Sequence, residues 1–231
     1  MKVSIIIPCY NESDYVEIIL DKINRQNNIN KEIIVVNDGS NEKTSNILNE
    51  CLNKKKINIL VNHDFNKGKG EALKTGLKKA TGEITIFQDS DLEYDPEDYD
   101  KLINPIIANK ADIVYGSRFL SNEKGQRILY YWHRVGNFLL TTLTNILTNI
   151  NFTDMETGYK LFKSDIIKDL NLVEDRFGFE PEITAKIARK NLRVYEVGIS
   201  YHGRKYSEGK KITWRDGFSA IRCILLYGLI K

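Results

Sequence analysis

A run of carboxylates follows a short apolar stretch near the middle of the chain, in the segment IFQDSDLEYD at 86–95. Asp89 and Asp91 flank a single serine, and no basic residue lies within this segment. Like charges at such spacing repel, so either solvent on an exposed loop or a bound cation must offset them. Carboxylate oxygens are hard ligands that suit Mg²⁺ or Mn²⁺, which usually complete their shells with phosphate oxygens. Asp89 and Asp91 are therefore candidate metal ligands.

The acidic residues further along the run have a simpler interpretation. Asp95 precedes Pro96, a residue that suits the first position of a helix. Acidic side chains also favour a helix N-terminus electrostatically. We therefore predict that the later members of the run begin a helix and do not bind metal; they are Asp95, Glu97, Asp98 and Asp100.

Two further polar segments could contact a nucleotide. Asp38, in NDGS at 37–40, could accept hydrogen bonds from a base or ribose. A helix cap at Ser40 is the simpler interpretation of this segment, and the two can coexist. The segment NKGKGEALKTG at 66–76 is rich in glycine and lysine but matches neither the P-loop pattern nor G-x-G-x-x-G. Its backbone N–H groups either approach an anion at a helix start or form a plain tight turn, and the sequence leaves both open.

Strand-like and helix-like stretches alternate through the first half of the chain. Apolar runs rich in β-branched residues occur at 3–7, 32–36, 57–61, 83–87 and 112–117. Helical stretches separate them, which predicts βαβ units and a mostly parallel sheet flanked by helices. Ligands bind outside the carboxyl ends of such strands, and each polar segment described above follows a strand.

The pattern changes after the fifth strand. Apolar residues spaced by three or four from Ile128 to Ile150 predict one long amphipathic helix with Thr and Asn on its other face. A turn with a short strand at 154–162, a helix at 180–191 and a strand at 193–201 follow. Basic residues predominate from His202 onward, and a loop of this composition could close over phosphate groups.

Composition narrows the classes of function. The 231 residues carry 34 basic and 31 acidic side chains, which gives a net charge of +3. Because this charge is small and the sequence has no basic stripe, nucleic-acid binding is not expected. Three scattered cysteines are typical of reduced thiols in a cytosolic protein. No signal peptide is evident, and no stretch reaches the roughly 20 apolar residues that a membrane span needs. We expect a cytoplasmic protein.

Seven segments carry a resemblance to a known family; in order, they are IIIPCYNE, IIVVNDGS, NKGKGEALKTG, FQDSDLEYDPED, YGSR, TGYKLF and GFEPEITAK. Each is weak alone, but together they resemble family 2 glycosyltransferases, above all the dolichol-phosphate mannose synthase and polyprenyl-phosphate glycosyltransferase subgroup. The resemblance implies an α/β GT-A fold in a single domain over 1–231. Residues 1–120 would be the nucleotide-sugar-binding half, and residues 121–231 an acceptor-side half with the amphipathic helix and basic loop.

The resemblance also implies which residues surround the sugar donor: Pro8, Tyr10, Glu12, Asp38, Lys69, Asp89, Ser90, Asp91, Arg118, Arg204, Lys210 and Lys211. The first four would line the pocket for base and ribose, and Lys69 would lie near the nucleotide. Asp89 and Asp91 would bind Mg²⁺ or Mn²⁺ together with the diphosphate, with Glu93 as a further ligand. The phosphates would be contacted by Arg118, Arg204, Lys210 and Lys211.

The implied reaction is an inverting, metal-dependent transfer of a hexose from a nucleoside-diphosphate sugar of the GDP-mannose or UDP-glucose type. Negative charge grows on the departing diphosphate as positive charge grows at the anomeric carbon. A divalent ion acts as a Lewis acid on that leaving group, and Arg118 would add fixed positive charge there. Asp91 and Arg118 are therefore candidate catalytic residues.

The acceptor is predicted to be a polyprenyl or dolichyl phosphate. The uncharged amphipathic helix and the basic tail could bring the site to an anionic membrane surface, giving peripheral contact with its cytoplasmic face. A helix that packs on the core or forms a dimer is the alternative, and the oligomeric state stays open. A soluble or cell-surface glycan hydroxyl is the alternative acceptor; it would need a general base, for which Asp154, Glu180 and Glu182 are candidates.

Two other functions share parts of this pattern. A nucleotidyltransferase would normally have a glycine-rich basic loop directly after the first strand, where this chain has PCYNE. A non-catalytic nucleotide-sugar-binding module is the alternative outside the enzymes.

Overall fold

The structure, a computed structural model, describes residues 1–120, 127, 130–204 and 214–229, and the side chains of all of these except 214–216. Its strands are β1 Val3–Cys9, β2 Lys31–Asp38, β3 Ile59–His63, β4 Ile84–Phe87, β5 Ile113–Ser117, β6 Lys160–Lys163 and β7 Val194–Gly198. They form one sheet in the order β3-β2-β1-β4-β6-β5-β7. Neighbours pair in parallel except β6, which is antiparallel to both β4 and β5.

The helices are α1 Val16–Asn24, α2 Glu42–Asn53, α3 Lys69–Leu77, α4 Tyr99–Ile107, α5 Tyr131–Thr148, α6 Ser164–Lys168, α7 Phe179–Ala188 and α8 Trp214–Leu229. A short 3-10 helix, Pro96–Asp98, precedes α4, and the Asp95 carboxylate accepts a hydrogen bond from the Glu97 N–H at its start. The predicted helix start in the acidic run is thus confirmed. The mostly parallel α/β sheet is confirmed too, whereas α8 was not predicted.

The sheet is buried on both faces because its strands alternate between two apolar clusters. Along β1, Ile5 and Ile7 belong to the cluster that includes residues of α1 and α4. Ile6 points the opposite way and belongs to the cluster that includes residues of α3 and α7. Successive residues of a strand face opposite sides of the sheet, so a continuous β-branched run is the sequence that suits this position.

One edge of the sheet collects the polar loops. β1, β2, β4 and β5 all run in the same direction, so the residues that follow them meet at their carboxyl ends. β6 runs the other way, and its first residues therefore lie at that same edge. The loop between α5 and β6 reaches the site for this reason, although it precedes its strand.

Helix α5 turns its polar face inward. Thr141 and Thr144 are buried, while Trp132, Leu139 and Ile146 of the predicted apolar stripe are 77%, 60% and 72% exposed. These three side chains of the stripe do not pack on the core, whereas Ile150 at its end does. The dimer alternative stays open. The inner face is held by hydrogen bonds, such as those from Thr141 Oγ1 to Asn137 and from the Met155 N–H to Thr141. The outer face of α5 is therefore a large apolar surface that is exposed to solvent.

Candidate active site

The carboxylates at 89–93 lie in a tight turn directly after β4. Leu92 has a left-handed backbone conformation, φ = 62°, which is costly for a residue with a branched side chain. The turn is held by the Glu93 N–H, which donates to Asp91 Oδ1 at 3.1 Å. The Ser90 hydroxyl donates to the Pro8 carbonyl at 3.0 Å and so fixes the turn to the end of β1. The strain is concentrated where the candidate metal ligands lie.

Asp89 is paired with a lysine of α3. The Lys69 ammonium lies 2.9 Å from Asp89 Oδ1 and 3.2 Å from Glu180 Oε1 at the start of α7. Burial alone would lower the pKa of Lys69, but the two carboxylates outweigh it and raise that pKa well above its usual value. Lys69 is thus a fixed positive charge between Asp89 and Glu180. The structure brings together these three residues, which are far apart in the sequence.

Asp91 is paired with an arginine from the last described residues before the gap at 205–213. Arg204 Nη2 lies 2.6 Å from Asp91, and both terminal nitrogens reach Glu12 at 3.1 and 3.3 Å. The Arg204 backbone N–H donates to Glu93 at 2.9 Å. Burial, and then repulsion from Asp89 and Glu93, raise the pKa of Asp91 to about 7 despite Arg204. These carboxylates therefore form a strongly negative cluster that Arg204 only partly neutralises.

The candidate metal ligands are not gathered around one point. Within residues 1–120, 127, 130–204 and 217–229, no three side chains of His, Cys, Asp or Glu are arranged to hold a metal ion. Chain cations lie among them instead: Lys69 on Asp89, and Arg204 on Asp91. The metal set of Asp89, Asp91 and Glu93 stays a prediction, and it requires Arg204 to withdraw from Asp91.

Arg118 lies at the same sheet edge, directly after β5, and is held by Asp154. Its Nε and Nη2 donate to the two Asp154 oxygens at 2.7 Å each, and its backbone N–H donates at 3.0 Å. Asp154 is fully buried and also accepts from Asn137 of α5. Burial alone would raise the pKa of Asp154, but Arg118 holds it below the usual range. This geometry assigns Asp154 to positioning Arg118, which leaves it ill placed as a general base.

Asp38 is buried, and both of its oxygens are used within the chain. The backbone N–H groups of Lys67 and Gly68 donate to it at 2.9 Å, and His63 Nδ1 lies 2.7 Å from it. Of the two readings of the glycine-rich segment, the structure favours the tight turn, because these two amides are taken by the chain's own carboxylate. The cap of α2 is Asn41, whose side chain accepts from the Thr44 N–H, and not the predicted Ser40.

The other predicted residues divide between the site and its surroundings. Glu182 accepts from the backbone N–H groups of Val173 and Glu174 and from Lys186, so its carboxylate holds a neighbouring loop. Tyr10 lies after β1 and is 38% exposed. Two predicted phosphate-binding residues, Lys210 and Lys211, lie outside the described residues.

Sequence reasoning missed two residues of the loop before β6. A Cβ added to Gly158 would lie 2.5 Å from Asp89 Oδ2, so only glycine allows this loop to approach the acidic turn. The Gly158 N–H donates to Tyr94 Oη at 2.8 Å, which fixes the approach. Glu156, two residues earlier, has a buried oxygen without a hydrogen-bond partner. The segment TGYKLF predicts a turn and a short strand, but its pattern does not reveal the antiparallel pairing that brings its first residues to the site.

Comparison with known proteins identifies the family. Residues 4–170 match the family described as glycosyl transferase family 2. The chain belongs to glycosyltransferase family 2. One relative is a Methanococcus voltae protein named UDP-N-acetylglucosamine–dolichyl-phosphate N-acetylglucosaminyltransferase. The two chains are 32% identical, and the alignment covers 98% of this glycosyltransferase and 96% of the relative. A dolichol-phosphate mannosyltransferase of Pyrococcus furiosus is 30% identical over 92% of this chain and 61% of its own.

A solved structure shows the same fold. The glucosyl-3-phosphoglycerate synthase of Mycobacterium tuberculosis, in complex with Mn²⁺, UDP and phosphoglyceric acid, superimposes with a TM-score of 0.71. The alignment covers 100% of this glycosyltransferase and 79% of that chain at 19% sequence identity. The predicted GT-A fold is confirmed, and the family excludes both the nucleotidyltransferase and the non-catalytic binding module.

Proposed function

We propose that this glycosyltransferase moves a hexose from a nucleoside-diphosphate sugar to a polyprenyl or dolichyl phosphate, with inversion at the anomeric carbon. One observation carries the proposal: the acidic turn after β4 and the Arg118–Asp154 pair after β5 lie at one edge of the sheet. A negative cluster for a cation and a buried arginine for phosphate are what a diphosphate leaving group requires. The names of the Methanococcus and Pyrococcus relatives support the lipid-phosphate acceptor.

The donor set of the acidic turn fits a hard divalent cation. Asp89, Asp91 and Glu93 offer only carboxylate oxygens, the ligands that Mg²⁺ and Mn²⁺ take. A bound ion would supply a Lewis acid to the leaving diphosphate. Burial raises the pKa of Asp91 to about 7, and repulsion from Asp89 and Glu93 adds to the effect. Because of this repulsion, additional positive charge is favourable here. The chain's own contribution is to hold Arg118 rigidly and to release Arg204 from Asp91 toward the phosphates.

The predicted general bases fit a phosphate acceptor better than a hydroxyl. Asp154 is bound to Arg118, and Glu182 holds a loop. A lipid phosphate is already an anion at neutral pH, so attack on the anomeric carbon needs no strong base. Glu180 keeps one buried oxygen without a partner and is therefore the candidate base for the alternative, transfer to a glycan hydroxyl.

The outward apolar surface supports contact with a membrane. Its exposed side chains come from α5 and α8 and include Tyr131, Trp132, Phe138, Leu139, Ile146, Phe218, Leu226 and Leu229. Monomeric proteins rarely expose a contiguous apolar patch of this kind without a partner or a membrane. Within the described residues, no helix has both the length and the apolar character needed to cross a bilayer. We propose that α5 and α8 lie on the membrane surface, where a lipid acceptor becomes accessible.

A transfer assay tests the proposal. Purified enzyme is incubated with Mn²⁺, a panel of labelled GDP- and UDP-hexoses and polyprenyl phosphate, and the label in the organic phase is counted. We expect label to enter the lipid with one donor class and Asp91→Asn to abolish it. Asp100→Asn is the matched control, because Asp100 belongs to the same acidic run but is exposed near the start of α4. Transfer to a soluble glycan but not to the lipid would refute the acceptor.

A further inference from the structure

Two carboxylates beside the acidic turn each have a buried oxygen that receives no hydrogen bond from the described residues. They are Oε1 of Glu156 and Oε2 of Glu180. A buried acceptor without a partner is costly, and such groups are few in native proteins. Two of them in one place call for a donor from outside the chain.

Each of the two glutamates is connected to Asp89 through a neighbouring residue. Glu180 shares the Lys69 ammonium with Asp89. Glu156 lies in the loop before β6, between Asp154, which binds Arg118, and Gly158, which packs directly against the Asp89 carboxylate. The two carboxylates are near enough to interact with each other, and Arg118 and Asp154 also act on Glu156.

The contrast with Asp154 shows that Glu156 has no evident structural role. Asp154 accepts from the backbone and guanidinium of Arg118 and from Asn137, as a carboxylate that stabilises a fold should. Glu156 belongs to the same loop, and no hydrogen bond or ion pair within the described residues engages its carboxylate. Its charged neighbours are Glu180, Lys160, Arg118 and Asp154, and burial together with Glu180 raises the pKa of Glu156 to about 7.

A second metal ion is a poor occupant for this position. Lys160 and Lys69 already supply positive charge beside the two glutamates. Lys160 is fully buried, with its ammonium held by the carbonyls of Met155 and Thr157. The fitting ligand is instead a neutral molecule with several O–H donors, which a carboxylate binds through short, charge-assisted hydrogen bonds.

We propose that Glu156 accepts hydrogen bonds from hydroxyl groups of the donor hexose and thereby helps to select the sugar. This inference rests on the proposed function, because it places the hexose beside a diphosphate bound at Asp89 and Asp91. Glu180, through its second oxygen, completes the acceptor pair on the other side of the sugar. Glu156 is then a binding residue for the sugar and not for the nucleotide.

Calorimetric titration separates the contribution of the sugar to binding affinity from that of the nucleotide. Wild type, Glu156→Gln and Glu156→Leu are each titrated, in Mn²⁺, with a nucleoside diphosphate and with its hexose conjugate. We expect the diphosphate to bind all three proteins within about twofold. We expect Glu156→Leu to weaken the conjugate by about 10- to 100-fold, the loss of one hydrogen bond to a charged group. Glu156→Gln keeps an acceptor oxygen and should lie between the two.

Deoxy-hexose conjugates identify the contact. The conjugate that lacks the recognised hydroxyl should bind weakly to wild type, and Glu156→Leu should weaken its binding no further. For every other deoxy conjugate, Glu156→Leu should still weaken binding. Equal affinity of wild type and Glu156→Leu for the conjugate, with diphosphate binding intact, would overturn the inference alone. Failure of wild type to bind any nucleoside diphosphate would overturn the proposed function, and the inference with it.

Discussion

Arg204 offers a sharp test of how the acidic turn is balanced. Its side chain is 10% exposed and contacts Glu12 and Asp91, and its backbone N–H donates to Glu93. Replacing Arg204 with Ala leaves the carboxylates of Glu12 and Asp91 without their common cation. Removing one member of a buried ion pair costs about 3–5 kcal/mol, because a buried charge is left uncompensated.

We therefore expect Arg204→Ala to lower the free energy of unfolding of the metal-free protein by about 3 kcal/mol at pH 8. Added Mn²⁺ should restore most of the loss, since the ion supplies the positive charge that the variant lacks. Mn²⁺ alone should bind Arg204→Ala at least tenfold more tightly than wild type, because no guanidinium has to leave Asp91. Binding of a nucleoside diphosphate with Mn²⁺ should weaken instead, since the phosphates lose a contact.

Urea denaturation with and without Mn²⁺ measures the first two effects, and calorimetry measures the others. Lys43→Ala is the control, because Lys43 and its partner Asp14 are both exposed, and an exposed ion pair contributes at most about 1 kcal/mol. Two results would contradict the reasoning: an Arg204→Ala protein as stable as wild type without metal, or one that binds Mn²⁺ less tightly. Either would mean that Arg204 does not compete with a cation for Asp91.

Three further changes test other parts of the site. Gly158→Ala should abolish transfer activity and weaken Mn²⁺ binding, because the new methyl meets the Asp89 carboxylate at 2.5 Å; Gly136→Ala, inside α5 with no atom within 4 Å, should stabilise the protein by about 0.5–1 kcal/mol and keep activity. Burial raises the pKa of Glu156 to about 7, so the carboxyl group costs no stability below about pH 4.5, and its buried charge destabilises the wild type as the pH rises through 7. Glu156→Gln should therefore match wild type at pH 4 and be more stable by about 3 kcal/mol at pH 8 in urea denaturation. Equal stability at both pH values would contradict the buried charge. Leu139→Glu should reduce flotation with anionic vesicles at least fivefold without changing thermal stability, because the side chain is 60% exposed; unchanged flotation would argue against the proposed membrane surface.

Much of the fold was predictable because the first half of the chain follows one simple rule. Its strands are buried on both faces and therefore appear as continuous β-branched runs, with helices between them. The acidic turn at 89–93 could be placed at the carboxyl end of β4 for the same reason. The acidic residues beyond this turn, such as Asp95 and Glu97, could be assigned to a helix start from Pro96 and from the preference of acidic side chains for a helix N-terminus.

The rest depended on contacts that no local pattern records. The polar face of α5 points inward because Asn137 and Thr141 find partners in the loop before β6, 14 to 17 residues away. Periodicity identifies an amphipathic helix but not which face is buried. The sequence predicts a ligand contact at Asp38 and allows one at the glycine-rich turn. In the fold these two segments hydrogen-bond to each other, although 28 to 30 residues separate them.

The hydrogen bond from Asn137 to Asp154 has a mechanical consequence. Asn137 projects from the helix whose opposite face is exposed, and Asp154 grips the guanidinium of Arg118, so two contacts of 3.1 and 2.7 Å connect the outer surface with the arginine. On the membrane surface proposed for α5, a displacement of this helix would move Asn137 and, through Asp154, the Arg118 guanidinium. Membrane contact and the placement of the arginine beside the leaving group would then be coupled.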